Sequence, residues 1–145
     1  MRIVALLAAL LLPALPAPAQ AESVRSGEYT LYYSAMPSTM ISPEVARAAG
    51  ITRSSSRALL NLAVRRDSAD GLGEPVEADL TANVRNPVGQ FQAPRLRQVR
   101  EADAIYYLGE VRFSDGDTLD FEIEASIEGE PRPIRVRFSQ QFFTR

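Results

Sequence analysis

The chain has 145 residues, 46% of them hydrophobic, and a formal charge of −2 set by 16 arginines, no lysine and 18 acids, a near-neutral balance with no general attraction for nucleic acid or an anionic membrane. With no histidine and no cysteine it cannot build a histidine-based triad, a thiolate nucleophile or an ordinary zinc site. The missing lysine removes Schiff-base and Ser-Lys chemistry too, so any enzyme here would have to work with carboxylates, hydroxyls, the amino terminus or arginine.

The first residues read as a secretory signal peptide. Arg2 supplies the positive start, Ile3 to Leu12 is an apolar run, and Ala19-Gln20-Ala21 fits the small-x-small cleavage rule. The run is shorter than the roughly 20 residues of a spanning helix, and Pro13, Pro16 and Pro18 interrupt its continuation. Cleavage after Ala21 leaves residues 22–145 as one domain of net charge −3, with no stable membrane insertion. Such a length buries about two-thirds of its unfolded surface without disulfides or metals. A bacterial periplasm is the expected compartment.

Glu28 to Met36 is the first predicted strand, with Tyr29, Leu31, Tyr33 and Ala35 on one side and Thr30, Tyr32 and Ser34 on the other. A short helix follows over residues 43–49, with Ser42 as N-cap, Pro43 at the first helical position and Gly50 beyond the end. Two turns cannot stand alone, and Ile41, Val45 and Ile51 are the apolar residues available to dock them. Arg57 to Arg66 is the second strand. Leu60, Leu62 and Val64 form one face, while Leu59 and Ala63 make the other apolar too, the signature of a strand covered on both sides. The loop from Asp67 to Gly73 offers only Leu72 to a core.

Pro75 to Arg85 alternates through Val76, Ala78, Leu80, Ala82 and Val84, and these small residues suit close sheet packing or a sheet edge. Asn86-Pro87-Val88-Gly89 is a turn. Leu96 to Glu101 reads as an edge strand, and Ala104 to Phe113 as a strand with Ile105, Tyr107, Val111 and Phe113 inward and Tyr106 and Leu108 outward. The outward apolar residues point to the helix packing over the strands at 57–66 and 104–113, outside the sandwich; it is expected to cover Tyr32 and Tyr106, the alternative being that they form a stacking surface for sugar or a peptide. Asp115-Gly116-Asp117 leads into the clearest pattern in the chain. Leu119, Phe121, Ile123, Ala125 and Ile127 alternate with Asp120, Glu122, Glu124, Ser126 and Glu128, and after the turn at 129–133 Ile134, Val136, Phe138 and Phe142 alternate with Arg135, Arg137, Ser139 and Gln141. The acidic solvent face of one strand can pair with the basic face of the next.

Three runs, Ser38-Thr39 followed by Ser42 to Ile51, Arg53-Ser54 with Arg57-Ala58-Leu59-Leu60-Asn61, and Val99 to Tyr107, resemble a family of small exported proteins of Pseudomonas-like and Xanthomonas-like bacteria, the domain of unknown function 4426. The resemblance spans the mature chain and implies a periplasmic sandwich of immunoglobulin-like shape. It brings no activity with it. The expected fold is therefore all-β, an immunoglobulin-like sandwich of about seven antiparallel strands with one short helix between the first and second.

Asp115, Asp117 and Asp120 lack the ligand series and terminal bidentate acid of a calcium loop and read as turn chemistry. Glu122 and Glu124 share a face at a spacing a glycosidase could use, but a solvated face beside Arg135 and Arg137 accounts for them. The candidate partner-binding residues are Ser38, Thr39, Arg53, Ser54, Arg57 and Asn61, a polar set around a marginal helix where a plain sandwich needs only a short turn. The expected function is a non-catalytic binding or accessory module for a protein or envelope component, with no cofactor and no metal. A carboxylate- or serine-dependent hydrolase lacking histidine, and a structural or stress-related accessory protein, are the alternatives.

Overall fold

Two antiparallel sheets face each other in the computed structural model, which describes residues 22–71 and 73–144. The expected signal peptide and Leu72 lie outside the described residues. The larger sheet runs in the order β1 (Glu22–Ser26), β2 (Tyr29–Pro37), β3 (Arg57–Arg66), β8 (Ala104–Arg112), β7 (Arg97–Glu101), and the two-residue β4 (Glu74–Pro75) joins the far end of β3. The smaller runs β10 (Ile134–Gln141), β9 (Thr118–Ser126), β5 (Asp79–Arg85), β6 (Phe91–Gln92). The helix α1 (Pro43–Ala49) and the 3-10 turn Ser38–Met40 link β2 to β3.

The core lies between the sheets and is built by alternation. From β9 and the residue just beyond it come Leu119, Phe121, Ile123, Ala125 and Ile127, all buried; from β3 come Ala58, Leu60, Leu62 and Val64. Phe121 sits between Phe138, stacked at 4.6 Å between ring centroids, and Phe142 at 6.3 Å edge-on. On the solvent side of the hairpin Arg137 Nη2 reaches Glu122 at 2.6 Å and Arg135 Nε reaches Glu124 at 3.1 Å, the predicted cross-strand pairs. Gly116 takes φ +79° in the turn before β9, as its place in a three-residue connection requires.

The seven expected strands are present, with three short ones besides among the described residues. The expected strand from Pro75 to Arg85 divides: Pro75 pairs with Arg65 in the larger sheet, whereas Asp79 to Arg85 pair with Ser126 to Asp120 in the smaller. The chain thus crosses between sheets at residues 76–78, and β5 lies between β9 and β6 rather than at an edge. β7 is the sheet end that Leu96 to Glu101 was expected to form.

The helix packs outside the sandwich, on β3 and β8. Ile41, Ala46 and Leu59 are buried together, with Met36, Ile51 and Leu108 against them. Ala46, not Val45, is the docking residue; Val45 is 56% exposed, because the helix turns its small face to the sheet. The cover stops short of the tyrosines. Tyr32 stays exposed and Tyr106 half-buried, and neither joins the helix cluster. Ser42 Oγ accepts the Val45 N–H at 3.3 Å and Gly50 closes the helix at φ +67°, as the capping residues predict.

At the opposite corner Tyr33 stacks on Phe138 at 4.7 Å and donates its hydroxyl to Glu22 at 3.0 Å. Desolvation, then the bond to Glu22 and its charge, push the phenol above its ordinary range. Its contribution to stability is complete below the unfolded phenol's pKa and is lost as pH rises through the folded one.

Candidate functional site

Segment 38–56 is held by one buried hydroxyl. Ser38 has no exposed surface; its Oγ donates to the Ser54 carbonyl and accepts the Ser54 N–H, both at 2.9 Å. The two ends of the segment are therefore pinned together across sixteen residues. A hydroxyl used twice and closed to solvent cannot touch a partner, so Ser38 supports the surface rather than forming part of it. Ser54 is half-buried, and its own hydroxyl lies 3.2 Å from that of Ser56.

Thr39 and Arg53 stand on the outside of this latch. Both are exposed, and Arg53 Nη2 donates to the Thr39 carbonyl at 2.9 Å. Arg57 projects from β3 with Nη1 4.0 Å from Glu110, whose other oxygen accepts the Thr52 N–H at 2.8 Å. Asn61 is set apart from the other five. It lies on the outer face of β3 between Ser34 and Leu108 in the register, half-buried, with no hydrogen-bond partner for its Oδ1 among the described residues. The structure thus gathers Thr39, Arg53 and Ser54 at the latch, puts Arg57 on its flank, and leaves Asn61 beside the helix cover.

Next to this cluster the helix end, β8 and the chain leading into β7 enclose a groove of about 500 Å³. Ile51, Leu59, Leu96 and Leu108 make an apolar floor, and Arg95, Arg97 and Glu110 stand among its walls. Arg97 and Leu108 are direct cross-strand partners, which is what brings that guanidinium to the groove. Arg97 also lies against Gly50: a Cβ there would meet Nη1 at 2.6 Å, so glycine serves both the left-handed cap and the cation at the helix C-terminus. Arg95 and Arg97 were absent from the candidate residues. The strand expected from Leu96 to Glu101 takes in Arg97, but nothing in Pro94-Arg95-Leu96-Arg97 tells that the run lies beside the end of the helix.

Chemically, the groove offers planar, permanently charged donors over an apolar base, suited to a carboxylate or phosphate attached to an apolar body. The acids are arranged otherwise. Glu122 and Glu124 lie on the open face of β9 in ion pairs with Arg137 and Arg135, and Asp117 is engaged in the turn, accepting the Ser114 N–H at 3.0 Å. Among the described residues no three acids converge as a metal site would, and no helix is long and apolar enough to cross a membrane.

A family model described as the domain of unknown function DUF4426 matches residues 23–145. A crystal structure of a DUF4426 family protein from Pseudomonas aeruginosa PAO1 is 29% identical, with 85% of this chain and 94% of that one covered and a TM-score of 0.71. FetP of uropathogenic Escherichia coli strain F11, expressed in the periplasm, has the same fold at 12% identity, covering 85% of this chain and 93% of FetP with a TM-score of 0.59. A copper-bound FetP variant aligns at 12% identity and 0.59, over 84% and 94%. No curated protein matches the chain.

Proposed function

The chain belongs to the DUF4426 family, and from that premise we propose that it is an exported, non-catalytic binding module that engages a protein or envelope component through the helix-covered face of its larger sheet. The observation that carries this reading is the arginine-walled groove beside the latched segment: Arg95 and Arg97 within it, Arg57 next to its Glu110, Arg53 outward on the latch, and an apolar floor of Ile51, Leu59, Leu96 and Leu108. An insertion ordered by a buried hydroxyl, with its cations left outward, fits recognition better than cover alone. The hydrolase alternative lacks a comparable arrangement, since its best carboxylate pair is occupied by arginines on an open strand face. Copper belongs to the FetP variant; with neither imidazole nor thiolate, this chain could offer a copper ion only thioethers and carboxylates, and among the described residues no three acids gather as a site.

Arg53→Ala with Arg57→Ala is the test. Arg53 bonds an exposed carbonyl and Arg57 stands 4.0 Å from a half-buried Glu110, so denaturant unfolding is expected to change by less than about 1 kcal/mol. Crosslinking capture of the partner from periplasm is expected to be lost. A markedly less stable double variant, or one that captures the same proteins as wild type, would show these arginines to be structural or idle. Export carries its own measurement. Intact mass of the secreted form should correspond to a chain starting at Glu22, and a full-length, membrane-retained species would restore the anchor reading.

A further inference from the structure

The smaller sheet ends in β10, which among the described residues pairs with β9 alone. Phe142 N–H donates to the Asp117 carbonyl at 2.9 Å in this register. Antiparallel alternation then turns the backbone groups of Ile134, Val136, Phe138 and Gln140 toward β9 and those of Arg135, Arg137, Ser139 and Gln141 outward. The other sheet ends are short: β1 and β7 have five residues each and β6 has two. β10 has eight.

None of the usual guards protects it. It contains no proline, no lysine and no inward charge, and its two arginines are already matched by Glu124 and Glu122 on β9. Val136 and Phe138 belong to the inner face yet remain half-exposed, as does Tyr33 opposite them. A cavity of about 110 Å³ opens at this corner, lined in part by Glu22, Tyr33, Phe138 and Gln140.

We propose that this edge pairs with the same edge of a second copy of the chain, antiparallel, about a two-fold axis at Phe138. The strand is self-complementary in that register. Arg135 stands opposite Gln141 of the second copy and Arg137 opposite its Ser139, so every outward N–H and C=O of the four residues finds a partner. A shift by two residues in one direction sets Arg137 against Arg137 and Gln141 against Pro133, which has no N–H. The opposite shift carries Arg135 past the strand end to Phe143. On the outer face Arg137 comes beside the Ser139 that already bonds Asp120, which brings a second carboxylate near each guanidinium. On the inner face Phe138 meets Phe138, covering the corner that each sandwich leaves open.

Sedimentation of the exported chain at micromolar concentration is expected to show a dimer. Ser139→Pro removes one outward donor without breaking the β9 ladder and should weaken self-association at least about tenfold, as two hydrogen bonds are lost per dimer. Phe138→Cys reads the register, because the natural chain has no cysteine. Directly opposed residues of a non-hydrogen-bonded pair sit about 4.5 Å apart, within disulfide reach. Under oxidation Phe138→Cys should give a covalent dimer, whereas Val136→Cys, with its copies about 13 Å apart along the strand, should not. A monomeric wild type overturns the proposal. So does a dimer indifferent to Ser139→Pro, a folded Phe138→Cys that stays monomeric, or equal crosslinking of both cysteine variants; should Phe138→Cys fail to fold, wild type and Ser139→Pro decide alone.

Discussion

Replacing Phe121 with alanine is expected to cost on the order of 3 to 5 kcal/mol. The ring is 2% exposed, stacked on Phe138 and edge-on to Phe142, and its strand lies between β10 and β5, so the cavity has rigid walls on both sides. Phe138 belongs to the same inward row of the hairpin, yet its half-exposed position at the open corner reduces the expected loss to about half that value. Glu122→Ala should lose less than about 1 kcal/mol, as an exposed ion-pair partner does. Denaturant unfolding of the three variants gives the ranking directly. Equal losses at all three positions would contradict the face assignment.

The second large effect is expected at Ser38. Ser38→Ala removes one hydroxyl and leaves both the Ser54 N–H and the Ser54 carbonyl without their partner, a loss on the order of 2 to 3 kcal/mol when buried polar groups go unpaired. The damage should be local. Amides of residues 38–56 should exchange much faster with solvent while those of β9 remain protected, because no core side chain between the sheets is altered. Partner capture should fall with the latch. Unchanged exchange in this segment would mean that the helix contacts of Ile41 and Ala46 hold it without the hydroxyl.

The fold was legible where alternation is strong. The hairpin at 118–141, the two-sided strand at 57–66 and the capped helix all stand where their side-chain patterns put them. β1 was not legible, since Glu22 to Ser26 contains one apolar residue and is held by backbone pairing to Ser26–Tyr29 through Glu22–Tyr33. The crossing at 76–78 was hidden for a different reason. Val76, Ala78, Leu80, Ala82 and Val84 all pack on one core, and alternation that faces the space between two sheets continues unbroken when the backbone changes its partners. The candidate site was only partly legible. Sequence shows that Ser38 and Arg53 are polar, but not that one is sealed and the other exposed, and the arginines at 95 and 97 reach the groove because β3–β8 pairing carries the β7–β8 hairpin to the helix, a long-range register that local pattern does not encode.

The change of sheet at residues 76–78 also orders the assembly of the chain. Every principal strand of the larger sheet is complete by Arg112, whereas β5 must wait for β9, whose paired residues lie 35 to 47 positions further on. A polypeptide emerging N-terminus first therefore finishes one layer while the other has only the short β5–β6 pairing. During that interval Leu31, Leu60, Leu62 and Val64 form an apolar wall with nothing laid upon it, and the closing loops must be paid for before the second layer contributes. The final hairpin is consequently the piece that closes an adhesive half-sandwich, and a chain ending near Phe113 should aggregate rather than persist as a smaller folded domain.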